Sequence, residues 1–354
     1  MKAIIRHELL NYLKRPLFWI AIVVVIFGVY QQLKPYLDIH YITSEEELKN
    51  DYPETVHEGE IFEGYIPSSE KEHRELWEKA IQGSLIADFG MDKDEAFNVI
   101  QEMNGMNIEE ACRYMEERYS YYNAQYTWES TAYRQGTMDE INSYIRDKLD
   151  EHPFSYYFSR KFADFSGLFM GFTATVLFAF LYMQDMRKNT YELLHTKPIS
   201  ATQYVIGKVT GGFLVGLIIL GILNLVFWAA CLICTNGSGF EIRLTDFLFA
   251  TCLYILPNML MIVCVYAIVA LLFKTPLPAV PLLVLYMTYS NMGGRNAEGV
   301  YGYYGRPLAI MVRFPNMFFS VAPPPLATAN QMCLLLASAV IIFIGIQLWR
   351  RKRT

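Results

Sequence analysis

Three short patterns in the sequence hold residue types that could do chemistry. His7-Glu8 begins like the helical motif of zinc proteases, but Asn11 stands where the second histidine of that motif belongs. Cys231-x-x-Cys234 has the spacing of a redox or zinc pair, yet no second ligand pair is near it in the sequence. Lys274-Thr275 follows an apolar run that lacks the glycines of a phosphate-binding loop. The sequence therefore predicts neither a catalytic site nor a metal site in this chain.

The distribution of charge predicts an all-α membrane protein. The chain has 354 residues, of which 53% are hydrophobic and 18% are charged, and the charged residues are segregated from long apolar runs. A bilayer core about 30 Å thick requires about 20 mostly apolar residues from each spanning helix. We therefore expect six transmembrane helices, at residues 17–33, 165–184, 209–234, 247–273, 275–294 and 331–349.

Basic residues between these runs predict which side of the membrane each connection occupies. Lysine and arginine are concentrated in residues 1–16, 185–208 and 350–354, and cytoplasmic segments carry such an excess. With six spans, all three segments fall on one side, so we expect both termini to be cytoplasmic. Residues 34–164 then form an extracellular domain, which contains 29 acidic and 13 basic residues.

Apolar residues at helical spacing predict that this acidic domain is mostly helical. One such stripe contains Trp77, Ile81 and Leu85. Asn107 and Thr137 are each followed three residues later by a glutamate, which is the spacing of a helix N-terminus with a capping box.

The first sixteen residues predict an amphipathic helix that lies in the cytoplasmic interface. Ile5, Leu9 and Leu13 share one face of such a helix, with Ile4 and Tyr12 beside them, and the basic residues lie mainly on the others. Pro16 would end the helix before the first span. A plain basic anchor that only sets the topology is the alternative, and the residues leave it open.

The segment 185–208 is longer than a turn between two spans requires. It contains a helical stretch from Thr190 to His195, and Ser200 can cap the helix that follows. A short helix between two spans is a suitable docking surface for a cytoplasmic partner, and a solvated basic loop is the alternative. Small residues four positions apart, which permit close helix packing, open the third span: Gly207, Gly211, Gly212 and Gly216.

Two segments of the sequence resemble a known family of membrane proteins. Residues 1–19 resemble the amphipathic elbow helix of ABC-2 type transporter permeases. The segment 185–208 resembles the coupling segment of that family in Arg187, Tyr191–Leu194, Thr196, Pro198–Ser200 and Gly207-Lys208. Six spans with a long insertion between the first two are also similar to one branch of the family.

The resemblance implies roles for particular residues. The elbow residues are Arg6, Glu8, Leu9, Lys14, Arg15 and Pro16. The residues of the coupling segment are Asp185, Arg187, Tyr191, Glu192, Leu193, Leu194, Lys197, Pro198 and Ile199, with Glu192 and Lys197 as the expected contacts to an ATPase. Residues 295–330 would form a re-entrant connection that faces outside.

The resemblance also implies partners. Such permeases work as dimers in the lipid bilayer, so we expect a second permease subunit, identical or paralogous. ATP and magnesium would be bound by a separate ABC ATPase subunit, which leaves this chain without a cofactor of its own. We expect no nucleic-acid partner.

Two functions follow from these patterns. The first is the membrane subunit of an ATP-driven exporter for an amphiphilic drug, an antimicrobial peptide or a lipid-like substrate. The second is a membrane-anchored sensor or scaffold whose acidic domain binds an extracellular ligand or partner. A stoichiometric ATPase subunit would distinguish the exporter from the sensor.

Overall fold

The computed structural model describes residues 1–48, 60–186, 196, 198–295, 301–302 and 305–353. In this part of the chain the structure is mostly helical and divides into two compact units. The first unit contains residues 1–38 and the described residues from 152 onward, and the second contains residues 39–151.

The described residues form α-helices and four short β-strands. The α-helices are α1 (Lys2–Leu13), α2 (Pro16–Leu37), α3 (Glu70–Ala87), α4 (Lys93–Glu102), α5 (Ile108–Tyr119), α6 (Ala124–Ser130), α7 (Met138–Glu151), α8 (Phe154–Met183), α9 (Ala201–Cys234), α10 (Leu244–Tyr254), α11 (Leu256–Phe273), α12 (Ala279–Asn291) and α13 (Ala327–Arg353). The strands are β1 (Tyr65–Pro67), β2 (Tyr133–Gln135), β3 (Gly294–Arg295) and β4 (Tyr301–Gly302).

Five helical stretches among the described residues are long and apolar enough to cross a membrane: α2, α8, α9, α10 together with α11, and α13. The helix at the expected span 275–294, α12, has only 13 residues. At 1.5 Å per residue it is about 20 Å long, which is less than a hydrocarbon core of about 30 Å. Pro276 and Pro278 delay its start, because a residue that precedes proline is disfavoured in the helical region.

The helix α8 begins at Phe154, ahead of the span expected at 165–184. Phenylalanines one turn apart on its first turns are buried against other rings, in the pairs Phe154–Phe240, Phe158–Phe247 and Phe162–Phe227. Three charged residues that the sequence pattern assigned to the acidic domain therefore belong to this helix: Arg160, Lys161 and Asp164.

The start of α9 and the ends of α11 and α13 meet in one apolar cluster. The cluster contains Ala201, Tyr204, Val205, Leu271 and Trp349. Tyr204 stacks on Trp349, and the centroids of the two rings are 3.8 Å apart. These three helix ends therefore lie at the same end of the first unit.

The connection from α12 to α13 is built without an α-helix in its described residues 305–326. Side chains of the flanking helices bind its backbone: Ser290 Oγ accepts a hydrogen bond from the Ile310 amide at 2.9 Å, and Asn330 Oδ1 accepts one from the Leu308 amide at 2.8 Å. Arg313 in this connection forms an ion pair with Asp164 of α8. The connection is thus attached to three helices of the first unit.

The second unit consists of α3 to α7 with a two-stranded ladder. β1 pairs antiparallel with β2, and Tyr65 lies opposite Gln135. Its apolar core contains Trp77, Ile81 and Leu85 of α3, as the helical stripe predicts, together with residues of the next three helices: Ala96, Val99, Ile100, Ala111, Met115 and Ala124.

The capping residues predicted for this unit are confirmed. Asn107 Oδ1 accepts a hydrogen bond from the Glu110 amide at 2.8 Å, and the Glu110 side chain binds the Asn107 amide in return. Thr137 and Glu140 make the same exchange at the start of α7. Each pair satisfies amides that a helix N-terminus would otherwise leave unpaired.

Acid is expected to destabilise the second unit through Glu140. Its carboxylate accepts hydrogen bonds from the Arg134 guanidinium at 2.7 Å and from the Thr137 amide at 2.8 Å, and these partners lower the pKa of Glu140 from 4.5 to about 2. Because the pKa is lower in the folded state, this stabilisation is present above the unfolded pKa and is lost as the pH falls through about 4.5 toward 2. Thermal unfolding of residues 39–151, followed by circular dichroism, measures the loss.

Glu140→Gln should lose less stability than the natural unit between about pH 5 and pH 2. The matched control is Glu117→Gln, which changes an exposed carboxylate of α5 and should keep the natural pH dependence. Identical pH profiles for the two variants would contradict this role of Glu140.

Candidate functional site

The helix α1 and the two ends of the segment 185–208 meet in a buried ion-pair cluster of Glu8, Asp185 and Lys208. The Nζ atom of Lys208 lies 2.7 Å from Glu8 Oε1 and 2.8 Å from Asp185 Oδ2. The side chains of Lys208, Glu8 and Asp185 are 3%, 9% and 15% exposed. Two carboxylates therefore share one ammonium group inside the protein.

Two tyrosines complete the surroundings of this cluster. The Tyr204 hydroxyl donates a hydrogen bond to Asp185 Oδ2 at 2.9 Å. The ring of Tyr182 lies 5.8 Å from Lys208 Nζ, within the range of a cation–π interaction. Tyr204 also stacks on Trp349, so the ion-pair cluster is in contact with the apolar cluster at the same end of the unit.

The helix α1 is also attached directly to the end of α8. Asn11 Nδ2 donates a hydrogen bond to Gln184 Oε1 at 2.8 Å, and the Tyr12 hydroxyl donates one to the Leu177 carbonyl at 2.8 Å. Together with the ion pair to Lys208 of α9, these bonds connect α1 to the helices on both sides of the segment 185–208.

Glycines on α9 allow α1 to approach closely. A Cβ atom at Gly207 would lie 3.2 Å from Ile4 Cγ2, and one at Gly211 would lie 3.0 Å from Glu8 Cβ. A Cβ at Gly216 would lie 3.0 Å from Met259 Cε, so that glycine faces α11, while Gly212 is buried in α9. Gly207 and Gly211 thus leave the space that brings Glu8 within reach of Lys208.

The other residues expected for an elbow lie on α1 and at its junction with α2. Arg6 and Lys14 are exposed and line one groove on the outer face of α1. Arg15 is the N-cap of α2 and Pro16 its first residue, where the missing amide hydrogen of proline costs no helical hydrogen bond. Leu9 is half-buried.

The buried face of α1 lies to one side of the expected apolar stripe, on the side where Ile4 and Tyr12 were expected, and it contains Glu8, which was not. Glu8 and Tyr12 are its buried residues, and Ile4 packs beside them on Gly207. The expected stripe, Ile5, Leu9 and Leu13, is half-buried. Helix amphipathicity alone selects the apolar stripe, whereas the close contact with α9 selects the face that carries Glu8.

The residues expected in the coupling segment are only partly described. Asp185 belongs to the ion-pair cluster, Pro198 is exposed, and Ile199 packs against the apolar cluster around Tyr204. Ser200 caps α9 as predicted, because its Oγ accepts a hydrogen bond from the Gln203 amide at 3.1 Å. Six residues lie outside the described part of the chain: Arg187, Tyr191, Glu192, Leu193, Leu194 and Lys197.

The partnership of Lys208 is the feature that sequence reasoning missed. Lys208 is the one charged residue between Ser200 and Phe240, and an ionisable residue inside an apolar helix normally has a partner in the protein. That signal predicts a partner, but it could not identify Glu8, which is 200 residues away in the chain. Among the described residues, no group of three or more His, Cys, Asp or Glu side chains is placed to hold a metal ion.

The cluster couples three elements through charge. Burial of an ion costs several kcal/mol, and that cost is offset only while the oppositely charged partners stay in place. A displacement of Asp185 at one end of the segment, or of Lys208 at the other, therefore changes the environment of Glu8 on α1. The arrangement can transmit a movement of the segment 185–208 to α1, α8 and α9.

Comparison with known proteins agrees with this architecture. A sequence model of the family of ABC-2 transporter proteins matches residues 2–348 of the chain. No curated protein and no solved structure matches the chain. The matched range contains the residues of the ion-pair cluster and of the second unit, and of the candidate membrane-spanning helices only the end of α13 lies beyond it. The chain therefore belongs to the ABC-2 family of transporter proteins.

Proposed function

We propose that this chain is the membrane-spanning subunit of an ATP-driven exporter, in which two permease subunits work with separate ATPase subunits. Family membership makes it a transporter component. The observation that carries the proposal further is the Glu8–Lys208–Asp185 cluster, which ties both ends of the segment 185–208 to α1. Such ties provide a physical route by which a movement of this connection can reach the helices.

The proposed topology has six passages with both termini in the cytoplasm. Leu271 at the end of α11 and Trp349 at the end of α13 lie in one apolar cluster, so the chain between them leaves this end of the unit and returns. Glu8, Asp185 and Lys208, which belong to the basic segments 1–16 and 185–208, lie at the same end as Trp349, which precedes the basic residues of the C-terminus. This arrangement supports the assignment of that end to the cytoplasmic side. In this topology residues 39–151 are extracellular.

The proposed mechanism assigns the segment 185–208 to the ATPase. ATP and magnesium bind to the ATPase, and closure of its two copies pushes on this segment. The push reaches Asp185 and Lys208 at the ends of the segment and α1 through Glu8. The helices then separate toward the outside and release the substrate, for which we propose an amphiphilic drug, an antimicrobial peptide or a lipid-like molecule.

Purification of the intact complex tests this function. A stoichiometric ATPase subunit with a phosphate-binding loop, together with two permease chains, is the expected result. A chain that purifies without an ATPase would instead favour a membrane-anchored sensor or scaffold. The observation that favours this second function is that residues 39–151 form a compact helical unit with its own apolar core, which could bind an extracellular ligand.

Removal of the charges at Glu192 and Lys197 is expected to uncouple the transporter. The double variant Glu192→Gln, Lys197→Gln should transport at least about tenfold more slowly, the factor that corresponds to about 1.4 kcal/mol of lost interaction. ATP hydrolysis by the complex should continue, because the variant leaves the ATPase unchanged. The measurement compares ATP hydrolysis with efflux of a hydrophobic dye in reconstituted vesicles.

The control for this variant is Lys2→Gln, which removes an exposed charge from the same side of the proposed topology. The control should leave both rates unchanged, and both variants should be inserted in the membrane in equal amounts. An unchanged ratio of transport to hydrolysis in the double variant would count against docking at this segment.

A further inference from the structure

Arg160 is a buried cation for which the described residues supply no polar partner. It lies two turns inside α8 and is 5% exposed. Its Nε atom is buried without a hydrogen bond, and the described residues offer its guanidinium neither an ion pair nor any other hydrogen bond. An arginine in a membrane protein is costly without a partner and therefore marks a functional site.

Two tyrosine rings leave the hydrogen-bond donors of Arg160 free. The guanidinium carbon lies 4.4 Å from the ring centroid of Tyr156 on α8 and 5.4 Å from that of Tyr254 on α10. A cation–π contact is an attraction between the charge and the face of the aromatic ring and uses none of the N–H donors as hydrogen bonds, and these donors form a planar fork on the guanidinium group. The donors are thus positioned as a fork that fits a phosphate or a carboxylate.

The carboxylates of α8 and α10 do not pair with the guanidinium group of Arg160. α8 and α10 contain one each, Asp164 and Asp246. Asp164 forms an ion pair with Arg313, which also donates to Asn291 Oδ1 at 2.6 Å, and Asp246 accepts a hydrogen bond from Ser155 Oγ. Among the described residues, the positive charge of Arg160 is therefore left without a carboxylate partner and is available to an added anion.

Side chains on α10 and α11 near Tyr254 suggest that the bound anion belongs to an amphiphile. Asn258, one turn beyond Tyr254, donates to the Tyr254 carbonyl but leaves its own Oδ1 buried without a partner, which suits a hydroxyl of a headgroup. Phe249 and Leu253 share a face of α10 beside Tyr254 and are 58% and 41% exposed. They offer an apolar surface to a hydrocarbon tail.

We propose that Arg160, Tyr156 and Tyr254 form a binding site for the phosphate headgroup of an amphiphile with a net negative charge. The site deepens the exporter proposal and rests on it, because it names the substrate class as anionic amphiphiles. Arg160 binds the phosphate oxygens through its free N–H groups, the two rings hold its guanidinium plane, and the tail lies along α10. The source of the phosphate is a bilayer lipid or a single-chain amphiphile in transit.

Native mass spectrometry of the purified full chain in mixed micelles tests the site. The probes are phosphatidylglycerol and phosphatidylcholine with identical acyl chains, hexadecyl phosphate, and inorganic phosphate as a competitor. The natural chain should retain phosphatidylglycerol at least about tenfold better than phosphatidylcholine, because the phosphate of phosphatidylcholine is already compensated by its own trimethylammonium group, whereas that of phosphatidylglycerol is left to pair with the arginine. Binding of hexadecyl phosphate as well would identify a single-chain amphiphile as a ligand, and exclusive binding of phosphatidylglycerol would identify a bilayer lipid.

Substitutions of Arg160 test whether this residue causes the preference for the anionic lipid. Arg160→Gln should abolish the preference for the anionic lipid, and Arg160→Lys should retain part of it because the charge remains. The matched control is Arg243→Gln, which changes an exposed arginine of the same unit that already pairs with Glu241 and should bind like the natural chain. Equal effects of Arg160→Gln and Arg243→Gln would overturn the assignment.

The natural chain alone can also refute the site. Equal retention of the two lipids would overturn the proposal even if the variants fail to fold, and displacement of the lipid by inorganic phosphate alone would overturn the amphiphile assignment. The ATPase is not needed for these measurements. Failure of this site therefore leaves the coupling proposal standing, and absence of an ATPase partner leaves the lipid measurement valid.

Discussion

Replacement of Lys208 by methionine is expected to destabilise the first unit by about 3–5 kcal/mol, the cost of removing one partner from a buried ion pair. Glu8 and Asp185 would remain together at 9% and 15% exposure without the ammonium group that compensates them. The midpoint of unfolding by sodium dodecyl sulfate in mixed micelles measures the effect on the purified full chain.

The control for Lys208→Met is Lys2→Met, which changes an exposed lysine of α1 and should shift the midpoint little. A triple variant, Glu8→Gln, Asp185→Asn and Lys208→Met, removes all three charges and should recover much of the lost stability because no ion is left unpaired. Equal midpoints for Lys208→Met and Lys2→Met would show that the cluster does not stabilise the unit.

Replacement of Trp77 by alanine is expected to destabilise the second unit by about 3–5 kcal/mol, the cost of removing a large aromatic side chain from a core. Trp77 is fully buried, its Nε1 donates to the Ala124 carbonyl at 2.9 Å, and its ring meets Trp128 edge-on at 6.1 Å. The variant would leave a cavity between α3 and α6 and an unpaired carbonyl. Urea unfolding of residues 39–151, followed by circular dichroism, measures the change.

Tyr122→Ala is the matched control in the same unit, because this aromatic side chain is 72% exposed. It should change the free energy of unfolding by less than about 0.5 kcal/mol. If Trp77→Ala unfolded at the same urea concentration as Tyr122→Ala, the core assigned to α3 would be wrong.

Local sequence patterns predicted where the helices lie in the chain better than they predicted which helices contact each other. Capping at Asn107, Thr137 and Ser200 could be predicted because a cap depends on residues three positions apart. The start of α8 could not, because Arg160 and Lys161 are typical of a soluble segment until the phenylalanines around them are known to be buried.

The candidate site was predicted in its parts but not as a whole. Glu8 and Asp185 were identified through the family resemblance, and Gly211 through helix-packing spacing. Their convergence on Lys208 depends on contacts between helices that are distant in the chain. Periodicity reports which face of a helix is apolar, and α1 buries a face that contains a carboxylate. A buried ion pair gives no periodic signal, so only a partner for Lys208 could be anticipated.

The short α12 and the connection that follows it have a consequence for the bilayer. If α12 is the fifth of six passages, that passage is a composite of helix and irregular chain. Irregular backbone is stable at membrane depth only where protein groups replace water as its partners. Ser290 and Asn330 do so for Ile310 and Leu308. Lipid beside α12 then faces a helix about 20 Å long, and wherever the irregular chain does not complete the apolar wall, the bilayer thins locally to match it.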